Sequence, residues 1–502
     1  MGYTTNIMMF ILFLILVSYM SFMSRGNNFF LPDKNSNMSL GLSYGATLMS
    51  TTSIVGFGGL AGWWGYSIFT VIFFLTITVF FTTRYIGPKI YSLNKKINAK
   101  TYIELISKYY KSDTLSILLS LVIFLLVPFY TSAIIISISK FINVFTGINY
   151  EFSLILFSII VSITVLIGGM KSVLKNDTLQ GIFLIAGSII ILLYTLKIYV
   201  IDVDYLFLLK NAWNNSVDPV TMVAKNIGFN GYFSYPTFWS PGWIFLVSLL
   251  VFTIPIGMIA LPQLQTRFLL AKDESSFKNI SWYGLIIPIL IASTFFIVGV
   301  SANAFYFNEY GKNGISINGI DSLIPSFIAD GYPLWIGTIL FVTVLSAAFS
   351  TINSLLHLMA TTISHDLGFK EKGKFIGVIG IIIFSLLIAI IFQKEPAFIS
   401  RSSTFIFSIL GGSMLPILLG MIFFKNISSK VAITSFTSGT ILSIIWIFFF
   451  HFKEAKLFGV SNLLFDVSMI YIGRYNFIDT VIFALIGSFS GMYIGKYFDR
   501  KL

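Results

Sequence analysis

Two small groups of residues hold most of the chemistry this sequence offers. In LSAAFSTINSLLHL, Ala347, Ser350 and Thr351 lie three and four residues apart, so one helical face presents them together. Two hydroxyls and a backbone carbonyl are neutral oxygen ligands, the donor type that a hard cation takes. A monovalent ion needs no carboxylate there, and the stretch has none. The same three residues would also serve close helix packing, and spacing alone favours packing. The second group is the run Ser50-Thr51-Thr52-Ser53, set in the uncharged apolar stretch 41–65 and followed by Gly56, Gly58 and Gly59. A plain membrane anchor would fill those positions with Leu and Ile. Hydroxyls and glycines at mid-depth predict a helix that breaks and leaves backbone carbonyls bare. Hydrocarbon tolerates such carbonyls only where they line a cavity or hold a ligand. Ala46 and Met49, just before the break, are the natural partners of the 347–351 face.

The elements that must position these residues are membrane helices. The chain has 502 residues, 56% hydrophobic and 10% charged, where soluble domains carry about 25% charge. Mean hydropathy is +0.89. With no cysteine, disulfides, thiolate catalysis and Cys-based metal sites are excluded, and His357, His365 and His451 are scattered. The net charge of +12 reads as topology. With the N-terminus outside, the basic excess falls in cytoplasmic loops and the C-terminal tail is cytoplasmic. No basic stripe with interleaved aromatics exists, so nucleic acid is not an expected partner; the lipid bilayer is. The first apolar run is expected to be a retained span ending at Arg25 rather than a cleaved leader, because Met1–Asn6 carries no Lys or Arg.

An all-α integral membrane protein of about thirteen spans results, at roughly 5–24, 41–64, 66–87, 115–142, 152–169, 178–200, 242–265, 281–306, 332–364, 375–392, 401–424, 431–451 and 476–495. Tyr102–Tyr110 reads as a short amphipathic helix, and the outer loop 201–240 as either an ordered cap or a solvated segment. The stretch 41–64 opens one group of five spans, ending near 200. The span 242–265, interrupted at Pro255-Ile256-Gly257, opens another, ending near 424. Two interrupted spans opening two five-span groups of opposite orientation predict an inverted repeat. The expected division is 1–40 with a leading helix, 41–200 and 241–424 as the two repeats, 201–240 as a loop, and 425–502 with two accessory helices.

SYGATLMSTTSIVGFGGL, IGGMKSVLKNDTLQG, LPQLQTRFLLAKD and LSAAFSTINSLLHLMATTISHDL, in that order, resemble successive signature stretches of the sodium:solute symporter family. The resemblance implies a LeuT-like core over 41–424. It implies Na+ as the coupling ion, held by the backbone oxygens of Ala46, Met49 and Ala347 and the hydroxyls of Ser350 and Thr351. It matches Asp177 to the family's acidic residue after the Gly-Gly turn; the other reading of Asp177 is a helix N-cap at an inner loop. The substrate would sit beside the break, against Ser50, Thr51, Thr52 and Ser53, with Phe252, Thr253 and Gly257 opposite and Tyr130 as a third wall. Pro262 and Arg267 would belong to the gate, although Arg267 is better expected as a positive anchor at a span's end than as the partner of a gate carboxylate.

The sequence departs from proline carriers of the family, which place aromatics where it has Thr253–Met258. The span 66–87 offers no Gln, Asn or acid for a sugar's hydroxyls, which would remain buried without partners. The expectation is a sodium-coupled symporter in the cell membrane, importing a small amino acid such as proline, or a small organic acid, by alternating access. The alternatives are a sodium-independent facilitator or channel and a transporter-derived sensor, for which a soluble signalling domain would be expected. An enzyme would need ionisable groups converging at depth, and the spans supply almost none.

Overall fold

The computed structural model describes residues 2–24, 29–31, 36–201, 204–424 and 427–499. Arg25 and the tail at 500–502 lie outside the described residues. Among the described residues the fold is helical throughout, without a strand. Eleven helices there are long and apolar enough to cross a membrane.

Two of the eleven are too long for one pass. Thr52–Ile97 has 46 residues and Tyr150–Ile201 has 52. At 1.5 Å per residue both exceed about 65 Å, more than twice the hydrocarbon thickness. Each turns at a glycine in the left-handed region, Gly65 (φ 67°) and Gly169 (φ 58°). Neighbouring contacts show both reversals. Gly41 meets Tyr283, Gly58 meets Ile324 and the Phe295 carbonyl, and Gly62 meets the Gly299 carbonyl, so this stretch runs parallel to Ser276–Tyr310. Beyond Gly65, Phe69 packs on Phe296 and Phe80 on Trp282, so the chain runs back along the same helix. Likewise Phe157 packs on Phe349, and Thr164 lies by Asn353. After Gly169, Gly187 faces Thr343 and Thr195 bonds Tyr332. Counted as two passes each, with Asn37–Leu48 completing the first, these runs bring the eleven to the thirteen expected.

Some expected boundaries move. The third pass does not end at Gly87-Pro88 but continues as Gly87–Ile97. Pro88 is accommodated because a wide π turn, Thr82–Ile86, precedes it and places the proline in a first turn, where its missing N–H costs little. The sixth pass starts directly after Gly169 rather than near residue 178, which puts Asp177 well inside a helix.

The first break lies where the hydroxyl run predicts it. The helix Asn37–Leu48, capped by Ser36 at its start, stops at Met49 in an extended conformation (φ −99°, ψ 91°). Helix resumes through a π turn, Thr52–Gly56, into Phe57–Trp64. The second break is displaced from its expected place. Pro255 sits in the first turn of Ile254–Ala260, behind another π turn, Ser248–Thr253, and the chain stays helical there. It leaves the helix at Leu261 (φ −65°, ψ 121°), because Pro262 forces its predecessor away from the α region.

The 204–240 loop is a folded cap. Its helices Tyr205–Asn214 and Pro219–Asn226 sit over the end of the broken helix, where the Trp63 indole donates to the Val220 carbonyl at 3.0 Å. The Tyr66 N–H donates to the Tyr232 carbonyl at 2.6 Å. Ser429–Ile445 and Thr480–Asp499 pack closely through Gly439, Gly487 and Gly491 and lie against Gly412–Phe423.

Candidate functional site

Three sets of residues meet around the first break. The first is the oxygen cluster. Leu334–Thr361 is buried along most of its length and crosses the broken helix just before Met49. The Ser350 hydroxyl lies 2.9 Å from the Ala46 carbonyl and 3.1 Å from the Ala347 carbonyl. The Thr351 hydroxyl lies 3.0 Å from the carbonyl of Thr47, a residue the sequence reading did not include. Ala46, Ala347, Ser350 and Thr351 are all fully buried, and Met49 ends the helix beside them. The donors are neutral oxygens from two backbones and two alcohols. That set fits a small alkali cation and does not fit a soft or strongly charged transition metal.

The second is a small cavity beside the break. Met49, Thr52, Ser53 and Phe57 form one wall, Tyr130 and Phe407 another, and Ile254 and Met258 of the second broken helix a third. Its polar lining is limited to Thr52, Ser53 and Tyr130, and among the described residues no charged side chain reaches it. The Tyr130 phenol donates to Ser50 Oγ at 3.1 Å, and Ser50 Oγ stands 2.5 Å from Thr52 Oγ1, so Ser50 braces the wall from behind. Thr51 is buried, its hydroxyl has no partner among the described residues, and it does not line the cavity.

Three further expected wall residues are also placed elsewhere. Phe252 is 39% exposed and points away. The Thr253 hydroxyl is 2.5 Å from Asp479 Oδ1 and serves that carboxylate. Gly257 packs backbone to backbone with Gly411; a Cβ on Gly411 would lie 2.3 Å from Gly257 Cα. Phe252 and Thr253 lie within the π turn Ser248–Thr253, whose wider winding departs from a regular helix, and Gly257 follows it.

The third set is a buried ion pair. Arg267, 2% exposed, reaches Asp177, fully buried, at 2.9 Å. The anchor reading of Arg267 and the N-cap reading of Asp177 therefore both give way. Asp177 is mid-helix, and a buried guanidinium needs the counter-charge it has found. The Ser43 hydroxyl donates to Asp177 at 2.8 Å, and Arg267 Nη2 reaches Thr47 Oγ1 at 2.6 Å and Ser354 Oγ at 2.5 Å. Arg267 also donates to the Gln263 carbonyl just past the Pro262 break, and Gln265 Nε2 donates to the Ile259 carbonyl at 2.7 Å. Pro262 thus creates the break that turns Arg267 inward. The sequence reading missed Ser43, Thr47 and Ser354, although the i, i+4 spacings of Ser43/Thr47 and Ser350/Ser354 were a readable signal.

Thr47 joins two of the sets. Its carbonyl accepts from Thr351 in the oxygen cluster, and its hydroxyl lies in the ion-pair network. Any change in the cluster is therefore one residue away from the buried Asp177–Arg267 pair.

Comparison with known proteins adds context to this geometry. The model of the Sodium:solute symporter family matches residues 29–439. The sodium/pantothenate symporter of Haemophilus influenzae is 25% identical over 335 residues, covering 66% of this chain and 64% of that protein. Its Escherichia coli counterpart is 24% identical over 346 residues, covering 68% and 66%. Both matches thus span slightly under two thirds of those relatives' length. A sodium/proline symporter of Staphylococcus aureus is 22% identical over 467 residues, covering 86% of this chain and 82% of that one. The solved structure of a Na+-coupled sialic acid symporter, substrate-bound and outward-open, superimposes with a TM-score of 0.67 at 16% identity over 97% of both chains. The architecture is that of the LeuT-like transporters.

Proposed function

This chain belongs to the sodium:solute symporter family, and from that premise we propose that it couples the entry of sodium to the import of a small organic solute by alternating access. The observation that carries the reading is the meeting of the Ala46, Ala347, Ser350 and Thr351 oxygens across a broken helix, beside a largely apolar cavity. Ala46, Met49, Ala347, Ser350 and Thr351 hold the sodium ion, with the Thr47 carbonyl at its edge. Bound, the ion supplies a fixed positive charge and ties Leu334–Thr361 to the broken helix. Thr52, Ser53 and Tyr130 orient the solute, with Ser50 positioning Tyr130. The Asp177–Arg267 pair and its hydroxyls close the far side, and Thr47 transmits the state of the ion site to that closure.

The cap side faces outward and the ion-pair side faces the cytoplasm, in line with the basic excess of the loops on that side. The segments 41–200 and 241–424 act as the two repeats, preceded by a leading helix and followed by two accessory helices. The near-apolar cavity suits a compact solute with few hydroxyls. Proline and pantothenate, named for the relatives, are the first to try.

The test is uptake into proteoliposomes of labelled proline, pantothenate, acetate and glucose, each with and without an inward sodium gradient. Sodium-dependent accumulation of one of the first three is expected. Equal flux without the gradient would identify a facilitator and overturn the coupling; accumulation of glucose alone would overturn the solute class.

A further inference from the structure

A second small cavity lies on the cap side of the first and shares Phe57 with it. Its walls are apolar: Phe57, Leu60 and Trp64 of the broken helix, and Phe245 of the second. Its remaining lining is densely charged, with Arg401, Lys453, Glu454 and Asp479 beside His451. Arg401 stands on Phe398–Ile406, and the others come from the hairpin joining the last two passes.

The two acids are already engaged. Glu454 accepts from Arg401 Nε at 3.2 Å and touches the His451 ring. Asp479 accepts from the Thr253 and Ser408 hydroxyls at 2.5 and 2.8 Å. The cationic donors are not fully engaged. Among the described residues, Arg401 Nη2 is buried without a hydrogen-bond partner. Lys453 makes no ion pair with any described residue; its ammonium lies 5.2, 5.0 and 5.3 Å from the ring centres of Trp63, Phe245 and Phe452. A buried charged donor without an acceptor is costly, and facing a cavity it suits an anion. A planar guanidinium edge beside an ammonium matches a carboxylate. The neighbouring Glu454 and Asp479 oppose a dianion such as a phosphate monoester, and the aromatic walls suit an apolar body.

We propose that this cavity is an antechamber in which Arg401 and Lys453 bind the carboxylate of a small organic monoanion before it passes Phe57 to the cavity beside the break. Its place on an entry path rests on the transport reading above; the anion site itself does not. Burial, and then the neighbouring Arg401, bring Lys453 down to about 7. An arriving carboxylate is the counter-charge that restores its proton.

The absence of native cysteine allows a direct test on the full chain. Thr404→Cys places one thiol in the cavity lining, to be reacted with an anionic (sulfonatoethyl) and a cationic (trimethylammonioethyl) methanethiosulfonate. The anionic reagent is expected to react about tenfold faster or more, as a cationic cleft concentrates anions. Arg401→Gln and Lys453→Met should each lower that preference severalfold, Arg401→Lys should retain it, and butyrate but not butyramide should slow labelling. The proposal is overturned by a preference for the cation, by a preference that both neutralising variants leave unchanged, by equal protection from butyrate and butyramide, or by a thiol that neither reagent reaches. Because labelling needs no sodium gradient, a failure of coupled transport would leave this result standing, and the reverse also holds.

Discussion

At the scale of residues, the buried charges beside the broken helix form a pair. Asp177 and Arg267 are both withdrawn from solvent; Ser43 and Thr47 bond Asp177 Oδ2, Arg267 reaches Thr47 and Ser354, and Asp177 Oδ1 has no partner among the described residues. Removing one partner strands the other, which costs about 3–5 kcal/mol, whereas replacing both with neutral residues costs much less. Arg267→Leu alone should therefore lower the thermal midpoint more than Asp177→Asn with Arg267→Leu, read by unfolding of the purified protein. Ser350→Ala and Thr351→Ala should each raise the sodium concentration for half-maximal uptake about tenfold or more, with solute KM at saturating sodium little changed, since each removes an oxygen from a set with few to spare. Lys453 predicts a pH effect. Its lowered value, about 7, means that the ammonium is charged below pH 7 and loses charge above it. Butyrate protection of the Thr404→Cys thiol should thus be stronger at pH 6 than at pH 8, with Arg401 supplying what remains and Glu454, His451, Asp479 and Asp321 as the other titratable neighbours. The 347–351 hydroxyl face was legible in sequence because helical spacing is local. That Thr253 serves Asp479, 226 positions away, was not.

At the scale of elements, the two breaks have different causes, and they were unequally readable. At Met49 a run of hydroxyls and glycines lowers the preference for continuous helix, and composition shows it. Near residue 255 the visible proline and glycine are absorbed by a π turn, and the chain leaves the helix at Leu261 because of Pro262. A proline costs little where a wide turn has already removed the bond it would break, so its presence alone does not locate a break. Gly65 joins the broken helix to the cap. Its φ is 67°, and a Cβ at this position would lie 2.1 Å from the Tyr232 carbonyl oxygen, so there is no room for a side chain. Gly65→Ala should cost at least about 1 kcal/mol from the left-handed backbone alone. The cap should loosen, read as faster proteolysis within 204–240 and a lower thermal midpoint.

At the scale of the whole molecule, sodium can favour one state only by binding it more tightly than the other. Hydrogen bonds from Ser350 and Thr351 join Leu334–Thr361 to the broken helix, and Thr47 links them to the Asp177–Arg267 pair, so an ion held at the proposed site would act on both. Sodium should therefore favour the form closed on the ion-pair side. Thr178→Cys, beside Ser39 at that end of the broken helix, should be labelled more slowly in sodium than in choline. Equal rates in both would separate the ion site from the gate. The sequence by itself determined the membrane class, thirteen passes, the first break and the hydroxyl face opposite it, because hydropathy, helical period and local composition are properties of neighbours along the chain. Only the tertiary structure decided that Arg267 turns inward to Asp177, that Phe252 faces away, that 204–240 folds as a cap, and that Arg401 meets Lys453 in one cavity. Each of those depends on how elements meet partners far away in sequence, and no local pattern encodes that meeting.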